Sequence, residues 1–144
     1  MTRFIPTRVH GLIDLTTPPV LLAVPALLGL DRSSLAAVAP RAAGVSALAY
    51  SLVTDYETAP RRMLPMPVHL ALDAMSGAAL AAAPWLSGDA RRGTRYWRPH
   101  AVAGASEIAL ALVTRTVPAD RRRSRLAGAL AGVRDLYAYR PAGR

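Results

Sequence analysis

Ile5-Pro6-Thr7-Arg8-Val9-His10-Gly11-Leu12-Ile13-Asp14 returns 59 residues later as Leu64-Pro65-Met66-Pro67-Val68-His69-Leu70-Ala71-Leu72-Asp73. At the same offset Thr17 meets Ser76, Pro25 meets Pro84 and Gly29 meets Gly88. One residue of slip then sets Gly44-Val45-Ser46 on Gly104-Ala105-Ser106 and Leu52-Val53-Thr54 on Leu112-Val113-Thr114. An internal match over about 110 residues is the signature of a repeated structural unit.

Each copy contains two apolar segments. They run roughly over 9–30 and 35–54, then 66–88 and 99–117. At 1.5 Å per residue, a helix of about 20 residues spans a hydrocarbon layer of about 30 Å. Hydrophobic residues make up 52% of the 144-residue chain but aromatics only 6%. The apolar mass is therefore Ala, Leu and Val, with Gly and Pro interspersed, as in close-packed membrane helices. The mean hydropathy of +0.22 is low because the charges form clusters between apolar stretches. Arg3 and Arg8 ahead of the first segment, with Ala37-Val38-Ala39 after it, imitate a secretion signal; the segment is too long for one and has an internal counterpart.

The expected fold is all-α: a polytopic membrane four-helix bundle made of two tandem transmembrane hairpins, plus a C-terminal amphipathic helix. The duplicated membrane domain covers 1–119, with repeats at about 4–55 and 63–117, and a basic tail covers 120–144. Direct repetition of a two-span unit relates the halves by a pseudo-two-fold axis along the membrane normal. All 18 basic residues are Arg, and the net charge is +9. Twelve of them lie with the termini and the 55–65 connection and six on the side of the hairpin turns, so both termini are expected in the cytoplasm of an inner-membrane, multi-pass protein. The same placement between apolar segments, without aromatic stacking platforms, speaks against nucleic acid. Cysteine is absent, which removes disulfides and thiolate metal sites. In the tail, Leu126, Leu130, Val133 and Tyr137 share a helix face flanked by Arg122, Arg123, Arg134 and Arg140, a pattern for lying on an anionic membrane surface.

Arg8-Val9-His10-Gly11 with Asp14, Val68-His69 with Asp73, and Pro84-Trp85-Leu86-Ser87-Gly88 resemble the SPW-repeat membrane proteins, a bacterial family with one or two copies of a two-span unit. The resemblance covers Phe4 to Val117 and implies a membrane location without implying an activity. Where the family signature has Ser-Pro-Trp, this chain has Ala83-Pro84-Trp85 and Val24-Pro25-Ala26. The motif positions carried across are thus Pro25, Pro84, Trp85, Gly29 and Gly88.

The candidate site is a polar stripe. His10, Asp14 and Thr17, like His69, Asp73 and Ser76, are spaced i, i+4, i+7 and share one helix face. Glu107 in the fourth segment costs about 2.5 kcal/mol or more in a bilayer unless protonated, paired or hydrated, so it is expected to face inward. A structural reading has each His and Asp bonded to the other and to backbone, in a protein that packs against itself as a homo-oligomer or against a larger membrane partner. A ligand reading makes His10, Asp14, His69 and Asp73 an N/O set for a divalent metal, or has two of His10, His69 and His100 hold haem. A third reading is a proton or ion path through Asp73 to Glu107. A serine triad is disfavoured, because carboxylate rather than imidazole neighbours the hydroxyls of Thr17 and Ser76.

Overall fold

The computed structural model describes residues 2–138, with side chains described as far as residue 131. Five α-helices are formed there: α1 (Thr7–Leu27), α2 (Leu35–Ser51), α3 (Met66–Leu86), α4 (Thr94–Val113) and α5 (Ala119–Ala138). A short 3-10 turn at Asp89–Arg92 precedes α4.

Proline starts the two long helices. Pro6 and Pro65 sit in extended backbone at the N-caps of α1 and α3, where a missing N–H removes no helical bond. Glycine ends the turns that follow: Gly29 and Gly88 have φ of 58° and 78°, a conformation that a side chain disfavours. These turns stop α1 and α3 at Leu27 and Leu86, two or three residues short of the expected span ends. Pro18, Pro19, Pro25 and Pro84 all lie within continuous helix, and Pro18, Pro25 and Pro84 are buried at helix contacts.

Helix α4 departs further from expectation. It begins at Thr94 rather than Pro99, directly after Gly93 at φ 124°. Arg95, Tyr96, Trp97 and Arg98 are thereby helical rather than part of the connection. The physical reason is Tyr96, which is buried in a small core with Leu30, Ala36 and Ala37 and anchors the first turn.

Helix α1 packs on α2, α3 packs on α4, and the two hairpins meet along α2 and α3. The α3–α4 contact is backbone to backbone. A Cβ added at Gly77 would fall 2.6 Å from the Gly104 carbonyl, so only glycine permits the crossing. At one end, an isolated parallel bridge joins Ile5 to Thr114 and another joins Thr54 to Leu64. Ile5 and Leu64, like Thr54 and Thr114, are partners in the sequence match. At the opposite end Asp89 accepts the Ala36 amide at 3.0 Å and Arg92 pairs with Asp31 at 3.5 Å.

The interior mixes apolar residues such as Leu21, Met66, Leu70 and Leu80 with buried polar ones, while many large apolar side chains face outward. His10, His69, Thr54 and Thr114 are fully enclosed, and Asp14 and Asp73 nearly so. Outward-facing residues include Val9, Leu12, Leu15, Val20 and Leu22 on α1, Val45 and Leu48 on α2, Met75 on α3 and Val102 on α4. By length and composition α1 and α3 qualify as membrane-crossing helices, with mean hydropathies of 1.3 and 1.2. Helix α2 is short, at 17 residues, and α4 carries Arg95, Arg98 and Glu107, so neither qualifies on that measure alone.

Helix α5 leaves the body of the protein with every described side chain exposed. Leu126 and Leu130 are 63% and 62% exposed. The positions expected for the side chains of Val133, Arg134, Tyr137 and Arg140 fall outside the described residues.

Candidate functional site

Both stripes turn inward and meet. His10 and Asp14 occupy the first two turns of α1, and His69 and Asp73 the equivalent turns of α3. The four side chains are buried and place one ligand atom each within 4.8 Å of all the others.

The two imidazoles are oriented from behind by hydroxyls. Thr114 at the end of α4 donates to the Leu110 carbonyl at 2.7 Å and stands 2.9 Å from His10 Nδ1. Thr54, just past α2, donates to the Tyr50 carbonyl at 2.7 Å and stands 2.8 Å from His69 Nδ1. A hydroxyl has one proton, and a carbonyl can only accept. Each threonine therefore accepts from Nδ1–H, and each neutral imidazole turns a bare Nε2 lone pair inward.

Those lone pairs converge with the carboxylates. The Nε2 atoms of His10 and His69 are 3.1 Å apart. His10 Nε2 lies 3.0 Å from Asp73 Oδ2 and 3.4 Å from Asp14 Oδ1. His69 Nε2 lies 3.0 Å from Asp14 Oδ2 and 3.2 Å from Asp73 Oδ2. Despite that proximity Asp14 Oδ2 has no aligned hydrogen-bond partner among the described residues. Four electron-rich groups aimed at one point repel one another unless a cation, either a metal ion or shared protons, lies among them.

Two tyrosines complete the surroundings. Tyr50 donates to Asp73 Oδ1 at 2.7 Å, leaving Oδ2 to face the imidazoles. Tyr56 is 1% exposed and sets its ring edge-on to His69, 5.6 Å between centroids. Burial, with Asp14 nearby, pushes the Tyr56 phenol well above its ordinary value, so it stays protonated. Its ring and the Thr58 hydroxyl fill the space over Gly11, where any Cβ would collide with both.

The remaining expected residues stay outside this cluster. Thr17 and Ser76 are half-buried and make no hydrogen bond to it among the described residues. Glu107 is half-buried beside Gly77, and its Oε2 has no partner among the described residues. His100 is at the other end, donating from Nε2 to the Ala36 carbonyl at 2.6 Å. Pro25, Pro84, Gly29 and Gly88 shape helices and turns. Trp85 stacks at a tilt on Trp97, 5.6 Å between centroids, and Arg98 covers the Trp97 ring.

Sequence reasoning found the four converging groups and missed Thr54, Thr114, Tyr50 and Tyr56. The two threonines had a signal, since they occupy matched positions in the repeat. The tyrosines had none, because neither has a counterpart in the other copy. Comparisons with family models, with curated proteins and with solved structures return no match.

Proposed function

We propose that this chain is an integral membrane protein of four spans that holds a divalent metal ion between His10, Asp14, His69 and Asp73. The carrying observation is the pair of Nδ1 atoms tied to threonines whose protons are already donated, which turns both Nε2 lone pairs onto the two carboxylates. A tetrahedral ion with ligands at about 2.0–2.2 Å separates neighbouring ligand atoms by about 3.4 Å. The five separations given above run from 3.0 to 3.4 Å, with Asp14 turning a different oxygen to each imidazole, and a set of one atom from each residue lies within 4.8 Å, so a modest rearrangement of the carboxylates admits the ion. Two imidazoles and two carboxylates suit zinc or a neighbouring first-row ion. A spacing of 3.1 Å between the two Nε2 atoms has no room for a porphyrin, which disfavours haem.

Four protein ligands close the coordination sphere, the pattern of a structural site rather than one with an open position for substrate. The ion would then clamp α1 to α3 and fix the two hairpins at the end where α1 begins and α4 ends. The many outward-facing apolar side chains support the membrane part of this reading: lipid is the medium in which Leu and Val face outward while His and Asp are enclosed. Helix α2 covers about 25 Å at 1.5 Å per residue, and Arg41 reaches back to the Ala37 carbonyl, towards the hairpin turn. Duplication accounts for the matched bridges and matched threonine–histidine pairs, and with the motifs quoted above it supports kinship with SPW-repeat proteins. The Arg distribution supports cytoplasmic termini.

Elemental analysis of the detergent-purified protein tests the site. Stoichiometric metal that is lost in His69→Ala is the expected result, and cobalt substitution should give the intense visible bands of a tetrahedral ion. Protein that is metal-free as purified, and whose spectrum and stability ignore added zinc or cobalt, would leave the second reading. In that reading the His10 Nε2–Asp73 Oδ2 bond at 3.0 Å and its neighbours hold the helices by shared protons alone.

A further inference from the structure

Where α4 ends and α5 begins, Asp55, Glu57 and Asp120 already have partners. Arg62 pairs with Asp120, and Arg121 with Asp55 at 3.4 Å. Glu57 accepts from the Thr7 hydroxyl at 2.7 Å and from the Ala119 amide at 2.9 Å. Beside them Arg3, Arg115 and Arg122, with Thr116 and Val117, line a groove of about 230 Å³. No carboxylate pairs with any of these three guanidiniums among the described residues. Arg3 is held in place, donating from Nη1 to the Ala111 and Thr114 carbonyls at 3.2 and 2.7 Å. Its other N–H groups remain to serve an anion.

Arg122 is shared with a second groove of about 650 Å³, whose lining includes Arg123, Arg125 and Leu126. Positive charge is therefore concentrated where α4 ends and α5 begins. The apolar outer faces of α1 and α4 start at the same level, with Phe4 60%, Val9 44% and Leu112 42% exposed. A ligand matched to both features carries an anionic phosphodiester joined to long apolar chains.

We propose that Arg3, Arg115 and Arg122 form a binding site for the headgroup of an anionic phospholipid, whose acyl chains run along the exposed faces of α1 and α4. Paired guanidiniums suit a phosphate geometrically as well as by charge. The flanking Arg123 and Arg125, exposed on the first turns of α5, extend the same attraction across the membrane surface. The site rests on the membrane reading of the chain and is independent of the metal.

Native mass spectrometry of the full chain in detergent, with phosphatidylglycerol and phosphatidylcholine at equal concentration, tests it. Phosphatidylglycerol should be retained preferentially. Arg115→Gln and Arg122→Gln should each lower that preference about fivefold. Both side chains are exposed, so metal content and thermal midpoint should not change. Arg95→Gln/Arg98→Gln at the opposite end should leave the preference intact, and inorganic phosphate at the same concentration should not displace the lipid. Equal retention of the two lipids, a preference that survives Arg115→Gln/Arg122→Gln, equal loss in Arg95→Gln/Arg98→Gln, or displacement by free phosphate would each overturn the site. A chain that stays in aqueous solution without detergent would instead overturn the membrane reading beneath it.

Discussion

Thr54 and Thr114 do for the two histidines what no residue in the helices α1 and α3 can. Each uses its proton on a carbonyl four residues back and so offers the imidazole only an acceptor. Removing the oxygen frees the ring to turn and to exchange tautomers. We expect Thr54→Val and Thr114→Val to weaken metal binding about 10–100-fold each, the usual effect of losing a group that orients a histidine ligand. Competition against a chromophoric chelator measures this, and unchanged affinity in both variants would refute the orienting role. The four converging groups themselves were legible in the sequence because His and Asp four apart must share a helix face. Their supports were not, because Thr114 reaches His10 across 104 residues of chain. Local spacing carries no information about such a pairing.

Among the elements, helices α1 and α3 were readable to within a few residues, since Pro6, Pro65, Gly29 and Gly88 mark their ends. The start of α4 was not, because burial of Tyr96 against the first hairpin outweighs the charge of Arg95 and Arg98. The turn before α4 also caps another helix. Asp89 accepts the Ala36 amide at the start of α2, while the Ser34 hydroxyl accepts from Ala37. The Ala36 amide, then Ser87 and Arg92 together, hold the Asp89 carboxyl below the usual carboxylate range against the opposing effect of burial. A carboxyl whose folded value is depressed stabilises the fold fully above its unfolded value of about 3.9, and that contribution fades as pH falls through the folded value. Asp89→Asn should therefore lower stability by about 1 kcal/mol at neutral pH, the difference between a charged and a neutral acceptor for the Ala36 amide. The deficit should disappear in acid, where the wild-type carboxyl is also neutral. Thermal unfolding of both proteins across pH 2–7 tests this, and a gap independent of pH would place the effect elsewhere.

At the scale of the whole molecule, the two matched polar stripes come together, but the closure over them has no matched counterpart. The connection from Asp55 to Pro65 folds across the cluster, with Tyr56 against His69 and Thr58 over Gly11. The start of α5 clasps that connection through Glu57 and Ala119, Arg62 and Asp120, and Arg121 and Asp55. Burial opposes ionisation of Glu57, yet the Thr7 hydroxyl and the Ala119 amide outweigh it and keep its carboxyl below the ordinary range. Glu57 thus ties three segments together: the cap, α1 and α5. None of its partners is nearby in sequence, which is why the tail read as a separate element. Glu57→Ala removes two hydrogen bonds to a charged group, each worth about 1.5–3 kcal/mol. The ligands are untouched, so metal should still bind in the same stoichiometry, while the cap opens more often. Release of bound metal to an excess of chelator, followed by stopped flow, should accelerate about tenfold or more. An unchanged release rate with the same metal content would show that the ion leaves by another route and that the clasp between α5 and the connection serves the fold alone.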